Sequence, residues 1–409
     1  MNVTGIIAEY NPFHNGHLYQ LNKIKEQGAD YVIIVMSGDF TQRGIPALSD
    51  KYMRTKIALA CGADLVLELP SLFSASSAFY FARAGVALLD KIGVTDTLSF
   101  GCETEDTRLL NETSSFLLTE SPVYQQELQK HLRTGNSFPK SRALSIQKIL
   151  GDNVSSLLSS PNNILALEYC MALMERKSNI VPSPIKRNGD SFHESELHAH
   201  VNPSATAIRT SFSGSTFPDL IRPFIPSAAF DEMLASYNQT YPIQLNDFSS
   251  LLHYQLLLDE KKGFSGYCDL TDNLSDRIIK HISHYQSFSQ FCDLLKSKDM
   301  TYTRINRCLL HILLHQTSDM LQQSVENDYI SYARVLGFKE SSLPLLHSIK
   351  KNTDIPILTK PSAARTLLSE HALTSFEQDI LTSHIYQSVV CSKFSVPFNN
   401  EYQRQIVLL

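Results

Sequence analysis

Two histidines that flank a glycine are the residues of this chain best suited to chemistry on phosphates. His14, Gly16 and His17 come directly after a short apolar run near the N-terminus. A glycine lets a phosphate chain approach the backbone, and the two imidazoles can donate hydrogen bonds to phosphate oxygens. If a helix begins here, its backbone N–H groups and its dipole also favour negative charge. The segment indicates attack at an α-phosphate with pyrophosphate leaving, helped by electrostatics and without a covalent nucleophile.

The alternative interpretation is structural, because the same histidines can cap a helix and fill its first turn. The position of the segment favours function, since a buried strand is predicted before it and a helix after it. His14 and His17 are therefore the first predicted catalytic residues.

Arg209 is the third predicted catalytic residue. Ser204 and Thr206 precede it, and small hydroxyl residues followed by an arginine can contact a triphosphate through the planar guanidinium. By itself this segment is equally consistent with an ordinary helix capped by Ser204.

Further polar residues lie where strands are predicted to end. Gly101 follows one strand, and Arg187 and Asn188 follow another, so we predict that they contact a nucleotide. Asn162 comes at the start of a predicted apolar helix. It can either cap this helix or contact the nucleotide. For Arg187 the alternative is a solvated surface arginine.

The elements that must position these residues alternate along the first half of the chain. Short apolar runs predict strands at 3–8, 31–36, 65–69, 97–100 and 180–185, and helical patterns such as 18–27 and 51–61 lie between them. This alternation predicts an α/β fold with a Rossmann-like parallel sheet. Ligands of such sheets bind at the carboxyl ends of the strands, so we expect four strand ends to converge on one crevice.

The second half is predicted to be mostly helical, because strand-like runs disappear after about residue 218. Helices are expected at 248–258, 288–297, 302–315 and 375–390. Glycine and proline in 214–226 indicate a boundary. We therefore predict two domains, 1–215 for nucleotide binding and 216–409 for a helical, RNA-binding role.

Basic residues of the second half gather near an aromatic one. Lys298, Arg304 and Arg307 surround Tyr302, and Arg334 follows. Such a surface can bind RNA phosphates and stack a base, so these four basic residues are the predicted RNA contacts. The alternative is that they are solvated helix faces.

Composition excludes several classes of protein. The net charge is -5, so any nucleic-acid surface must be a local patch. Seven scattered cysteines without a CxxC pair argue against a disulfide framework and a cysteine zinc site, and they fit a reducing cytoplasm. No signal peptide or membrane span is predicted. No protein-held metal is predicted, although Mg²⁺ is expected with ATP.

With these segments assembled, the chain closely resembles the bacterial tRNA(Met) cytidine acetate ligase family. The resemblance runs nearly end to end and is carried by EYNPFHNGH (9–17), SGDFTQRG (37–44), GADLVLELP (62–70), SPNNILALEY (160–169), SATAIR (204–209), TYTRI (301–305) and RVLGF (334–338). It implies that ATP and acetate form acetyl-adenylate, and that the acetyl group then passes to N4 of the wobble cytidine of elongator tRNA(Met).

The resemblance also implies which residues bind ATP. They are Ile7, Ala8, Glu9, Tyr10, Asn11, Pro12, Phe13, His14, Asn15, Gly16, His17, Leu18, Tyr19, Gln20, Gly101, Asn162, Arg187 and Asn188. Two other functions stay open on the residues alone. One is a nucleotidyltransferase that adenylates a small phosphorylated metabolite, and the other is an RNA-binding protein without catalysis.

Overall fold

The computed structural model describes residues 1–136, 138–151, 154, 156–187, 204–213, 219–298 and 300–409. In these residues the strands are β1 (Val3–Ala8), β2 (Tyr31–Ser37), β3 (Phe40–Thr41), β4 (Ile45–Pro46), β5 (Leu65–Leu69), β6 (Thr97–Cys102), β7 (Val181–Lys186), β8 (Ala333–Phe338), β9 (Ile357–Leu358) and β10 (Val407–Leu408). The five predicted strands are present within one to two residues of their expected ends.

The main sheet has the strand order β10-β8-β5-β2-β1-β6-β7, with β9 also paired to β8. Strands β5, β2, β1, β6 and β7 are parallel, which confirms the predicted α/β class. Strand β8 pairs antiparallel with β5, and β9 and β10 run parallel to β8.

The expectation that strands disappear in the second half is therefore wrong. Residues 333–338 contain a charged residue, Arg334, and Gly337, so the run did not resemble a buried strand. Its backbone nevertheless forms a strand that lies between β5 and β10 in the sheet. Strands from both sides of the predicted division at residue 215 share one sheet, and residues 214–218 lie outside the described part of the chain.

The helices of the described residues are α1 (Asn15–Glu26), α2 (Lys51–Ala60), α3 (Ser71–Ser74), α4 (Ala78–Lys91), α5 (Thr107–Thr119), α6 (Pro122–Arg133), α7 (Phe138–Leu150), α8 (Pro161–Arg176), α9 (Ala205–Thr210), α10 (Ser227–Ser236), α11 (Ser249–Asp259), α12 (Asp272–His281), α13 (Phe288–Leu295), α14 (Tyr302–Leu313), α15 (Ser318–Glu326), α16 (Leu343–Asn352), α17 (Ala364–Leu367) and α18 (Glu370–Phe394). The predicted helices of the second half correspond to α11, α13, α14 and the central part of α18.

Side chains alternate between two apolar layers along the central strands. Ile33 and Val35 of β2 pack with helices α4 and α8, whereas Val32 and Ile34 pack with α1 and α2 on the opposite face. All four residues are fully buried. A parallel sheet covered by helices on both faces explains why these strands are continuous apolar runs.

The helical half has an apolar core of its own, which is centred on α11, α13 and α14. Side-chain caps determine where several of these helices begin. Ser287 accepts a hydrogen bond from the backbone of Gln290, and Thr301 accepts one from that of Arg304. These caps fix the first turns of α13 and α14.

Candidate active site

A cavity of about 760 Å³ lies at the carboxyl end of β1. Strand β1 is between β2 and β6, and the chain passes first to β2 and later to β6. Such a reversal of strand order opens a crevice at which α/β proteins bind ligands. The volume falls in the range of roughly 300 to 1,000 Å³ that is typical of small-molecule sites.

The two histidines are held at the start of α1 by backbone hydrogen bonds. His14 is the N-cap, and its Nδ1 accepts from the N–H of Gly16 at 3.0 Å. The Nδ1 of His17 accepts from the N–H of His14 at 3.2 Å. A neutral imidazole that accepts at Nδ1 carries its proton on Nε2. Each ring therefore presents an Nε2–H donor.

Burial keeps both imidazoles neutral. Burial and then the positive charges of Arg187 and Arg209 lower the pKa of His14 to about 3. The pKa of His17 is also well below its usual range, because of burial and then because of His14 and Arg187. Both side chains line the cavity as uncharged hydrogen-bond donors.

Three arginines meet at the same place. Arg209 donates to the carbonyl of Asn11 at 2.6 Å and to Thr206 Oγ1 at 2.9 Å, and Arg43 donates to the same hydroxyl at 2.9 Å. Burial and then the charge of Arg43 lower the pKa of Arg209 to about 10. Arg187 also lines this cavity. Positive charges brought together in a partly buried site are stabilised by a bound polyanion.

The opposite wall of the cavity is apolar. Phe81, Phe100 and Tyr169 line it, and each has 5% or less of its surface exposed. Leu165 packs in the same apolar layer, and Ile6 lines the cavity from the layer on the other face of the sheet. Flat apolar surfaces beside a cationic end suit a nucleobase with its phosphates.

Most predicted ATP contacts lie around this cavity. The lining includes Ile7, Ala8, Glu9, Tyr10, Asn11, His14, Gly16, His17, Tyr19, Gln20, Gly101, Asn162, Arg187, Ser204 and Arg209. Ser204 also caps α9 by accepting from the backbone N–H of Ala207, which confirms the capping interpretation, and its contact with the triphosphate stays a prediction. Asn162 is not a cap, since it lies inside α8 and donates to Glu103.

Five of the predicted contacts that the structure describes are not among the lining residues. Phe13 and Pro12 are buried, and the ring of Phe13 packs against His17. Asn15 donates to the carbonyl of Pro223, and Leu18 packs into the apolar core. Thr206 instead holds the guanidinium groups of Arg43 and Arg209. Asn188 lies outside the described residues.

Sequence reasoning missed several lining residues. Gln42 and Arg43 come from the turn between β3 and β4, and Thr301, Tyr302 and Thr303 come from the start of α14. Arg43 lies in the SGDFTQRG segment, which is one of the motifs that carry the family resemblance. Nothing in the spacing of its residues predicts that this turn folds back over β1. The Gln42 N–H donates to Glu9 Oε1 at 3.0 Å, which fixes that turn.

Only some of the strand ends reach the cavity, which corrects the expectation of four. Glu68 at the end of β5 is buried, where it pairs with Lys51 at 2.7 Å and with Arg334 at 3.0 Å. Glu401 pairs with the same two cations. This cluster joins α2, β5, β8 and the C-terminal segment, and none of its four residues lines the cavity.

The predicted RNA contact at Arg334 is therefore wrong. Its residue surface is only 2% exposed, and its guanidinium is held by two buried carboxylates. Lys298 is exposed. Arg304 and Arg307 both pair with Asp269, and their side chains are 37% and 14% exposed.

The described residues contain no cluster of three or more metal-ligating His, Cys, Asp or Glu side chains. Among the described helices, none has the length and apolar character needed to span a bilayer.

A parallel sheet with two neutral histidines at a helix start and three converging arginines defines a nucleotidyl transferase site. The family model described as HIGH Nucleotidyl Transferase matches residues 1–400. A tRNA(Met) cytidine acetate ligase of Clostridium perfringens is 37% identical over 98% of both chains. One of Thermoanaerobacter sp. is 38% identical over 94% of this chain and 95% of its own.

Solved structures agree with these relatives. Thermotoga maritima TmcAL in its apo form has a TM-score of 0.93 and 30% identity, with both chains fully covered. The same protein bound with alpha-thio ATP has a TM-score of 0.90 and 29% identity. The chain belongs to the HIGH nucleotidyl transferases and, within them, to the tRNA(Met) cytidine acetate ligase family.

Proposed function

We propose that the protein is an ATP-dependent ligase that activates acetate and transfers the acetyl group to N4 of the wobble cytidine in elongator tRNA(Met). The observation that carries the proposal is the convergence of His14, His17, Arg43, Arg187 and Arg209 on one cavity. The names of the full-length relatives support the choice of acetate and tRNA. The α-thio ATP complex of the Thermotoga maritima protein supports ATP as the nucleotide.

In the first step, a carboxylate oxygen of acetate attacks the α-phosphorus of ATP. The bond from that phosphorus to the bridging oxygen breaks, and pyrophosphate leaves with the electron pair. His14 and His17 donate from Nε2 to phosphate oxygens, and the arginines balance the charge that develops on pyrophosphate. No residue becomes covalently attached.

Mg²⁺ is expected to arrive with ATP, because it is usually held by phosphates and one or two carboxylates. Among the described lining residues, Glu9 carries the carboxylate that suits this role. The ion would neutralise charge on the phosphates.

In the second step, the N4 amine of cytosine attacks the carbonyl carbon of acetyl-adenylate. A carbon–nitrogen bond forms, and the bond from that carbon to the phosphate oxygen breaks. AMP leaves with the electron pair, and N4 loses one proton to water. The AMP phosphate remains next to the same histidines and arginines, which stabilise its charge.

For the RNA, we propose contacts from the helical part of residues 216–409, with Lys298, Arg304 and Arg307 near the phosphates. Residues 1–215 supply most of the nucleotide site. The proposed location is the cytoplasm, where tRNA substrates and a reducing environment are found. The free thiols of all seven cysteines support it.

The deciding experiment measures ATP–pyrophosphate exchange by the purified protein with and without acetate. We expect exchange to require acetate, and we expect N4-acetylcytidine in the nucleosides of elongator tRNA(Met) incubated with protein, ATP and acetate. A tRNA whose wobble cytidine is replaced by uridine is the matched control. Exchange that needs a phosphorylated metabolite in place of acetate would overturn the proposal in favour of a metabolite adenylyltransferase.

A further inference from the structure

The acceptor base has to enter the cavity that holds the nucleotide. This requirement rests on the proposed function, since N4 of cytosine must touch a carbonyl carbon bonded to an α-phosphate oxygen. A cytosine taken out of its stack is usually held by an aromatic ring that replaces the lost stacking. The cavity should therefore contain an accessible aromatic face beside the phosphate end.

The aromatic residues of the sheet wall do not meet this requirement. Tyr10, Phe81, Phe100 and Tyr169 are at most 5% exposed, and they pack into the protein core. Tyr302 lines the same cavity and is 42% exposed. It is contributed by the helical half of the chain.

Tyr302 lies on the phosphate side because α14 packs against the turn that carries Arg43. At Gly44, a Cβ atom would lie 2.3 Å from the backbone nitrogen of Arg307 and 2.6 Å from the carbonyl carbon of Asn306. Asn306 is one helical turn from Tyr302 along the same helix. The start of α14 is thus fixed next to the arginine cluster.

The surroundings of the Tyr302 ring suit a nucleotide. Lys296 Nζ lies 4.4 Å from the ring centroid and covers one face, so a base has to stack on the other face. The ammonium of Lys296 and the nearby Lys298 supply positive charge for the phosphates of the RNA chain. Thr301 and Thr303 also line the cavity and offer hydroxyl groups to the edge of a base.

We propose that Tyr302 is the surface on which the wobble cytosine stacks during acetyl transfer. The ring orients N4 toward the adenylate made on the sheet side, and the helical half thereby completes the acceptor site. Tyr302 is a substrate-binding residue and has no part in the first step.

The test compares Tyr302→Ala and Tyr302→Phe with the wild-type protein. We expect Tyr302→Ala to lower kcat/KM for tRNA(Met) acetylation by roughly 5- to 150-fold, the range for loss of one base–aromatic stack. Tyr302→Phe should stay near the wild-type value. The ratio of tRNA acetylation to acetate-dependent exchange without tRNA should therefore fall in Tyr302→Ala and stay near the wild-type ratio in Tyr302→Phe.

A second measurement separates stacking from a structural effect. The affinity for tRNA(Met) is measured with AMP and without acetate, using intact tRNA and tRNA that lacks the wobble base. Removing the base should weaken binding to the wild-type protein but have no further effect on Tyr302→Ala. Tyr254→Ala is the matched control, because Tyr254 is 63% exposed on α11 and is not among the lining residues.

Normal acetylation by Tyr302→Ala would overturn the inference, as would equal effects of base removal on both proteins. A raised KM for ATP in the exchange reaction would also overturn it, since the ring would then contact adenine. Absence of exchange in the wild-type protein is a separate result, which would reject the proposed function and this inference with it.

Discussion

The imidazole rings of His14 and His17 stack with their centroids 3.8 Å apart. Each Nδ1 accepts a backbone N–H, so the two Nε2–H groups are left as donors for a ligand in the cavity. Because both rings are neutral, they stack without charge repulsion. A small rotation of either ring would therefore change the position of both donors.

Replacing His17 with alanine should lower the rate of acetate-dependent exchange by roughly 10²- to 10³-fold, the usual loss for one preorganised donor to developing charge. The KM for ATP should change much less. His347→Ala is the control, because His347 is exposed on α16. A near-normal exchange rate for His17→Ala would leave this residue with a structural role only.

Gly16→Ala tests the stacked pair without removing a functional group. A Cβ at Gly16 would lie 2.8 Å from His14 Cε1, so the ring has to move. We expect exchange to fall by up to about 10²-fold, as for a displacement near 1 Å at a reacting centre. Gly266→Ala is the matched control, since its Cβ meets nothing within 4 Å. If the Gly16→Ala variant catalyses exchange at the wild-type rate, the orientation of the His14 ring is unimportant for the exchange reaction.

Arg43→Ala should weaken ATP binding in the exchange reaction by roughly 10- to 150-fold, the range for loss of a hydrogen bond to a charged group. The substitution also removes one donor to Thr206, so the effect should exceed that of Arg43→Lys. Arg365→Ala is the control, because the Arg365 side chain is 80% exposed. An unchanged KM for ATP would place Arg43 outside the phosphate site.

Replacing Arg304 and Arg307 together with alanine should weaken tRNA binding and reduce its salt dependence while sparing exchange. Affinity measured at several salt concentrations gives the slope of this dependence. Asp269→Asn is a useful additional variant, since it removes the carboxylate that pairs with both guanidinium groups. Equal affinities of the double variant and the wild-type protein would exclude this surface from the interface.

We expect His311 to make the stability of the protein depend on pH. Burial lowers its pKa from 6.5 to about 4, and its Nδ1 lies 2.8 Å from Gln316 Oε1. The unfolded chain takes up the proton first as the pH falls. The contribution of His311 to stability is therefore complete above a pH of about 6.5 and is lost between about 6.5 and about 4.

Chemical unfolding of His311→Gln at about pH 7 and about pH 5 checks this effect. The wild-type free energy of unfolding should fall by about 2 kcal/mol more than that of the variant across this interval. His347→Gln should behave as the wild type, because His347 is exposed. The prediction would be contradicted if the free energy of unfolding fell by the same amount in the wild type and in His311→Gln.

Local patterns predicted the central part of the fold. The apolar runs gave β1, β2, β5 and β6 because strands buried on both faces have no polar alternation to obscure them. The helix starts were also predictable where a side chain caps them, as Asp50 does for α2. Strand β8 was missed because its Arg334 is neutralised by Glu68 and Glu401, which are distant in the sequence.

The sequence by itself determined that His14, Gly16 and His17 follow a buried strand at the start of a helix, because strand periodicity and helix capping are local. It also contained Arg187 and Arg209 near predicted element ends. Only the tertiary structure decided that Arg43 and Tyr302 line the same cavity and that Arg334 does not meet solvent. Packing of a turn against a distant helix, and pairing of buried charges, depend on contacts that no local pattern records.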